Sequence, residues 1–147
     1  DWLDHTYQEN IQFFEKADFI LIERQPPMGF VVVEQLIFSK WRHKTILISP
    51  NTVHKYFHIG RDDYEQRKRY TQKIAYLTLT NPDLIEQLGW YDRAHDIGDS
   101  ICIMLYWINK KQKELQKEKH KQLIMSRINS SSNLTTEQLL ESFRYFQ

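Results

Sequence analysis

The sequence holds one cysteine, four glycines and four prolines in 147 residues. A single thiol, Cys102, excludes a disulfide framework and any zinc site built on several cysteines, and it fits a reducing, intracellular compartment. So little glycine and proline argues against a turn-rich all-β chain and for helices with a few strands. No apolar run reaches the ~20 residues that a membrane helix needs. The opening Asp1-Trp2-Leu3-Asp4 has neither the basic flank nor the apolar stretch of a secretory signal. No glycine-rich phosphate loop or nucleotide motif is visible, so neither a membrane nor a small-molecule cofactor is expected as a partner. The first residue is Asp1 and not Met, which predicts a processed chain or a piece of a longer one.

Aromatic residues are plentiful, 14% of the chain, beside 41% hydrophobic and 27% charged residues. That is the composition of a folded domain. The formal net charge is only +1, but the charge is unevenly spread. Six basic residues (Lys55, Arg61, Arg67, Lys68, Arg69, Lys73) face three acids (Asp62, Asp63, Glu65) between positions 55 and 73. Seven basic residues face two acids between positions 101 and 128. Such patches suit a polyanion such as DNA, although a solvated helix face has the same look.

Apolar spacing predicts a helix over residues 2–16, then a strand at Phe19-Ile20-Leu21-Ile22 buried on both faces. The strand ends at Glu23-Arg24-Gln25-Pro26-Pro27, where the two prolines stop it and start a loop. Met28–Arg42 reads as a second helix with Phe30, Val33, Leu36, Ile37 and Trp41 on one side. Lys44–Pro50 reads as a second strand, so the pair forms a βαβ unit with parallel strands. A loop is expected from Asn51 to Asp63, then helices over 64–79 and 82–89. A longer helix opens at Asp92 or Asp96 and runs into the Lys-rich stretch Lys110–Lys121. Asn129–Asn133 reads as a linker, and Thr135-Thr136-Glu137-Gln138 as the cap of a terminal helix. The fold class is α/β. Two strands do not make an independent sheet, so the pattern matches the back half of a larger one.

Three features carry chemistry. Glu23 stands at the carboxyl end of an apolar strand, where open α/β sheets place their ligands. Buried there, its carboxylate needs a cationic partner, and a metal ion is the better candidate; an outward-facing glutamate is the plain alternative. Asp96 and Asp99, three apart in His95-Asp96-Ile97-Gly98-Asp99-Ser100, share a helix face. They also satisfy an ordinary N-terminal cap. Gly98 weakens that helix unless another group approaches it closely. One glutamate and two aspartates are hard oxygen donors of the kind Mg²⁺ takes. Arg67-Lys68-Arg69 opens a helix from which Lys68 could balance charge on a phosphate. His54 and His58 fall in the loop reading and count as surface residues, and Cys102 as core.

Together, Ile22-Glu23-Arg24-Gln25-Pro26, Ile48-Ser49-Pro50, Tyr64 with Arg67-Lys68-Arg69, and Asp96-Ile97-Gly98-Asp99-Ser100 resemble, in order and rough spacing, the poxvirus-type Holliday-junction resolvases. These are the RuvC group of RNase H-like nucleases, and the resemblance covers about residues 1–110. It implies a partial RNase H-like (RuvC-type) domain over residues 1–113, without the N-terminal strands, and a basic helical tail over 114–147. It implies a Mg²⁺-dependent endonuclease, with Mn²⁺ as an alternative ion, that acts as a homodimer on four-way or branched DNA and cuts two strands symmetrically. Its place would be recombination, repair and the resolution of viral genome concatemers, in the host cytoplasm if the source is a virus. Catalytic roles fall on Glu23, Lys68 (or its neighbour Arg69), Asp96 and Asp99, with the three acids as metal ligands. Arg24, Lys55, Arg61, Arg67 and Arg69 would follow the DNA backbone. The family's fourth acid, an Asp on its first strand, has no counterpart here, which leaves the isolated chain's activity open. A non-catalytic DNA-binding module of the same fold and a helical protein-interaction module are the alternatives.

Overall fold

The structure is a computed structural model that describes residues 2–130. In chain order the elements are α1 (Trp2–Glu9), α2 (Ile11–Lys16), β1 (Ile20–Glu23), α3 (Val31–Lys40), β2 (Thr45–Ile48), α4 (Pro50–Tyr56), α5 (Tyr64–Thr78), α6 (Pro82–Gly89) and α7 (Ala94–Ser130). Contacts group them into two compact units, one ending at Tyr106 and the other beginning at Trp107. The division falls inside α7, ahead of the expected boundary at 113.

β1 and β2 pair in parallel, with Ile20 opposite Thr45 and Glu23 opposite Ile48. The ladder extends one step further as the Arg24 amide donates to the Ile48 carbonyl at 2.8 Å. With α3 between them, the strands form the expected parallel unit. Burial differs from expectation. All four residues of β1 are partly exposed, and only Thr45 and Ile48 of β2 are buried. Among the described residues the sheet has two strands, so β1 has a single neighbour.

The first predicted helix is two. Asn10 breaks it by turning its side chain back to the Thr6 carbonyl at 3.0 Å, a local bond that competes with the helix ladder. α1 and α2 then fold around Trp41. The Phe14 and Trp41 rings stack at 4.7 Å, and Tyr7 meets both. α3 is shorter than the expected Met28–Arg42. Its β-branched start and its preceding Gly29 set the first turn late, and Phe30 lies outside it, 78% exposed. The residue that α3 buries is not apolar but Glu34.

Residues 51–63, read as a loop, hold most of α4. Pro50 supplies the first helical position, where its missing N–H costs nothing. The α5 cap is Asp63, whose carboxylate accepts from the Gln66 amide at 2.8 Å. The α6 start matches expectation, with Asn81 as cap and Pro82 next. α7 starts at Ala94, so Asp96 lies inside the first turn and is not the cap.

Ala75, Leu88 and Ala94 form a buried cluster that joins α5, α6 and α7, with Tyr76, Leu79, Ile97 and Ile101 packed on it. The small residues let the helices approach closely. In the second unit α7 continues to Ser130 with the ion pair Lys111–Glu114 at 2.8 Å, so Asn129 and Ser130 are helical and not linker. The rest of the expected linker and the terminal helix lie outside the described residues. No helix among the described residues is long and apolar enough to cross a membrane.

Candidate functional site

A tight turn after β1 presents Glu23. The Gln25 amide donates to the buried carboxylate of Glu34 at 2.5 Å, and the Gly29 amide donates to the Pro26 carbonyl at 2.8 Å. A Cβ on Gly29 would stand 2.8 Å from the Gln25 side-chain oxygen and 3.0 Å from the Pro26 ring. A side chain at Gly29 would displace the Gln25 side-chain amide and press on Pro26, so the turn is tight at this point. A helix thus reaches back across the turn and pins the chain directly beyond the Glu23 carboxylate. No periodicity in the sequence marks Glu34. Its only signal was an acid inside an otherwise apolar run, Val31-Val32-Val33-Glu34.

Glu23 and Asp99 line the same cavity of about 160 Å³. Its other walls come from α4 (Pro50, Val53, His54), α5 (Tyr64, Arg67, Lys68, Thr71) and α7 (Cys102, Ile103). Burial raises the Glu23 carboxyl above its ordinary value, and the charges of Asp99 and Asp96 raise it further. Burial also raises Asp99, while the neighbouring Thr71 and the charges of His95 and His54 pull it down. No Lys, Arg or His among the described residues forms an ion pair with Glu23 or Asp99. The two carboxylates are half-buried, and the charge of Asp99 acts on Glu23.

Asp96 does not line the cavity, although its charge acts on both acids. Its carboxylate is exposed and held by Arg93 at 2.7 Å and by His95 at 3.2 Å. Residues three apart on a helix differ by about 60° in direction. Asp99 takes the inward side of that arc and Asp96 the outward side. The expected set of three ligands is thus two facing carboxylates and a third engaged elsewhere. Among the described residues no three His, Cys, Asp or Glu side chains are grouped so that they could hold one ion. In chemistry the pair fits a hard divalent cation, as oxygen donors whose raised proton affinity a cation would relieve. In number it supplies two of the ligands.

Lys68 lies in the cavity wall. Its ammonium sits 4.1 Å over the Tyr64 ring and 3.7 Å from Glu65. The hydrogen bond with Tyr64 holds its pKa above the ordinary value, with a smaller contribution from Glu65, so it stays charged. Arg67 lines the same cavity and donates to the Asp62 carbonyl. Arg69 is exposed and outside the cavity, so of the two Lys68 is the one that shares the cavity with the acids. Cys102 is fully buried beside them. Burial and the Asp99 charge push its thiol up to about 12, which makes it unreactive.

His54 corrects the surface reading. It sits on α4, lines the cavity and is half-buried. Burial lowers its pKa, the Arg67 charge lowers it further, and Asp99 opposes both. The signal lay in the spacing Asn51, His54, Lys55, His58, a polar stripe at helical intervals that a loop reading hides. Lys55 and Arg61 line a second cavity, and Arg24 borders neither.

Comparison with known protein families, curated proteins and solved structures finds no match for this chain.

Proposed function

We propose that the unit ending at Tyr106 is an RNase H-like nuclease domain of the RuvC type that hydrolyses phosphodiester bonds in four-way or branched DNA. One observation carries the reading: Glu23 at a strand end and Asp99 on a distant helix share a half-buried cavity with Lys68 and Arg67, and neither acid has an ion-pair partner among the described residues. Acids kept apart from nearby bases mark a place where a cation and an anion are both to be bound.

Glu23 and Asp99 would hold Mg²⁺, with Mn²⁺ as substitute. The ion, when bound, lowers the pKa of water and stabilises charge on the phosphate. Lys68, charged and steadied by Tyr64 and Glu65, meets a non-bridging phosphate oxygen and offsets charge that develops on it. Arg67 adds a second positive group, with its guanidinium fixed by the Asp62 carbonyl. Thr71 stands beside Asp99, with its hydroxyl donating to the Lys68 carbonyl at 3.2 Å. A homodimer with one such cavity per subunit would match the near two-fold symmetry of a junction and give paired cuts.

The absence, among the described residues, of three ligands around one point favours a second reading, a DNA-binding module of the same fold without catalysis. A labelled four-way junction incubated with the protein and Mg²⁺ separates the two. Symmetric nicks lost in Glu23→Gln support the nuclease. Junction binding without Mg²⁺-dependent nicks supports the binding module, and no junction binding ends both readings.

A further inference from the structure

The second cavity, about 630 Å³, is lined by Asn51, His54, Lys55, His58, Gly60 and Arg61. No acid lines it, and no carboxylate among the described residues pairs with Lys55, His58 or Arg61. Four of its residues, Asn51, His54, Lys55 and His58, recur at helical spacing down one face of α4 and past its end. Every one of them, and Arg61, carries an N–H donor.

The end of α4 is shaped in an unusual way. The Ile59 amide donates to the His54 carbonyl at 2.9 Å, and the His58 amide donates to the Lys55 carbonyl at 3.2 Å. That is the closed helix end in which the residue past the cap turns left-handed, a place ordinarily taken by glycine. Here His58 occupies it, with φ at 62°, alone among the described non-glycine residues in having positive φ. A side chain there costs about 1–2 kcal/mol. Strain of that kind persists where the side chain has a task. The same closure removes an objection. Carbonyls at a helix end repel anions, but those of His54 and Lys55 are occupied by amides from the turn.

We propose that this cavity seats a phosphate group of a nucleic-acid backbone, held by Lys55, Arg61 and the imidazole of His58, with Asn51 as a neutral donor. The inference rests on the nuclease-domain reading for the source of the phosphate, but not for the presence of an anion site. His54 lines both cavities, so it forms the wall between the phosphate seat and the Glu23–Asp99 pair. A strand anchored at the seat has its continuation directed at the acids.

The test uses the whole chain and inorganic phosphate. Imidazole NMR signals of His54 and His58 are followed as phosphate is added, with chloride at matched ionic strength as the control. Phosphate-specific shifts at both rings are expected. His58→Gly should weaken phosphate binding about 5- to 10-fold while thermal stability holds or rises, because glycine relieves the left-handed strain. Lys55→Ala with Arg61→Ala should abolish the shifts. An unphosphorylated oligothymidylate should compete with phosphate for the same signals, as an internal diester would. If only the 5′-phosphorylated oligomer competes, a terminal monoester is the ligand and the backbone assignment is overturned. Equal shifts with chloride overturn the site itself. Phosphate binding in a protein that leaves junctions uncut would remove the nuclease reading and keep the anion site.

Discussion

A Cβ atom on Gly98 would stand 2.6 Å from both the carbonyl carbon and the carbonyl oxygen of Thr71. The main chains of α5 and α7 therefore touch at this point, and only a residue without a side chain permits it. The next residue, Asp99, is brought against the Thr71 hydroxyl and into the cavity with Glu23. Local helix propensity is given up at Gly98 for the placement of a carboxylate. Gly98→Ala should lose about 2–3 kcal/mol in urea denaturation, the upper range for overpacking against a backbone that has nowhere to move. Gly89 is the control. A Cβ there meets only the Tyr76 hydroxyl at 3.7 Å, and no glycine has positive φ. Gly89→Ala should be neutral or gain up to about 1 kcal/mol. A similar result for both variants would show that the α5–α7 contact is looser than described.

The acid pair makes stability depend on pH in a stated direction. Ordinary values are 4.5 for Glu23 and 3.8 for Asp99, and burial raises both in the folded chain, with like charge adding to the rise at Glu23. The folded protein then binds protons that the unfolded chain has released. Stability from this pair is greatest below the ordinary values and falls as pH climbs through the window up to the raised ones. At pH 7 without divalent ions, Glu23→Gln should therefore be more stable than the parent by about 1 kcal/mol, the common gain when a functional site is relieved of strain. The gain should vanish as pH drops below the ordinary carboxylate range. Mg²⁺ should raise the parent's melting temperature and leave Glu23→Gln nearly unmoved, since only a folded-state ligand stabilises by mass action. A pH-independent gain would sink the pairing of Glu23 with Asp99.

How far the sequence discloses this arrangement depends on the range of the interactions involved. The parallel strands, the Pro82 helix start and the packing purpose of Gly98 follow from local chemistry, and each is found where expected. α4 was hidden because its stripe, Asn51 to His58, is polar, and a search for apolar periodicity passes over it. Asp96 looked equivalent to Asp99 because spacing gives only relative direction. The pairing of Asp96 with Arg93 and His95 depends on where α7 starts, and that start is set by packing of Ala94 against Ala75 and Leu88. The buried Glu34 depended on a contact across the turn that no periodicity encodes.

Glu34 should control the geometry of the Glu23 turn. Its buried carboxylate is the acceptor for the Gln25 amide, and nothing else is shown to satisfy that donor. Glu34→Ala leaves the amide unpaired and should cost about 1–3 kcal/mol. Hydrogen exchange at Gln25 should accelerate by more than the global loss of stability explains. Glu34→Gln keeps an acceptor oxygen and should restore most of the protection. If exchange at Gln25 is unchanged in Glu34→Ala, the turn is held by other contacts and Glu34 has no positioning role.

A contact with a second copy could be supplied by the segment around α3, with Phe30, Phe38 and Trp41, or by the first helix, and the structure divides those three aromatic residues. Trp41 is 5% exposed, stacked on Phe14 and touched by Tyr7, so it belongs to this subunit's own core. Trp41→Ala should cost about 3–5 kcal/mol and release α1 and α2. Phe38 is half-buried, with the Arg42 guanidinium 5.9 Å from its ring. Phe30 is largely exposed, flanked by Met28 at 98% and Val32 at 71%. A change to Phe30 therefore removes little internal packing, and Phe30→Ser should alter stability by less than about 0.5 kcal/mol. If this surface is the dimer contact required by paired cutting, sedimentation should show weaker self-association for Phe30→Ser at unchanged melting temperature. Unchanged self-association would move the contact elsewhere on the subunit and leave the three exposed side chains as ordinary surface.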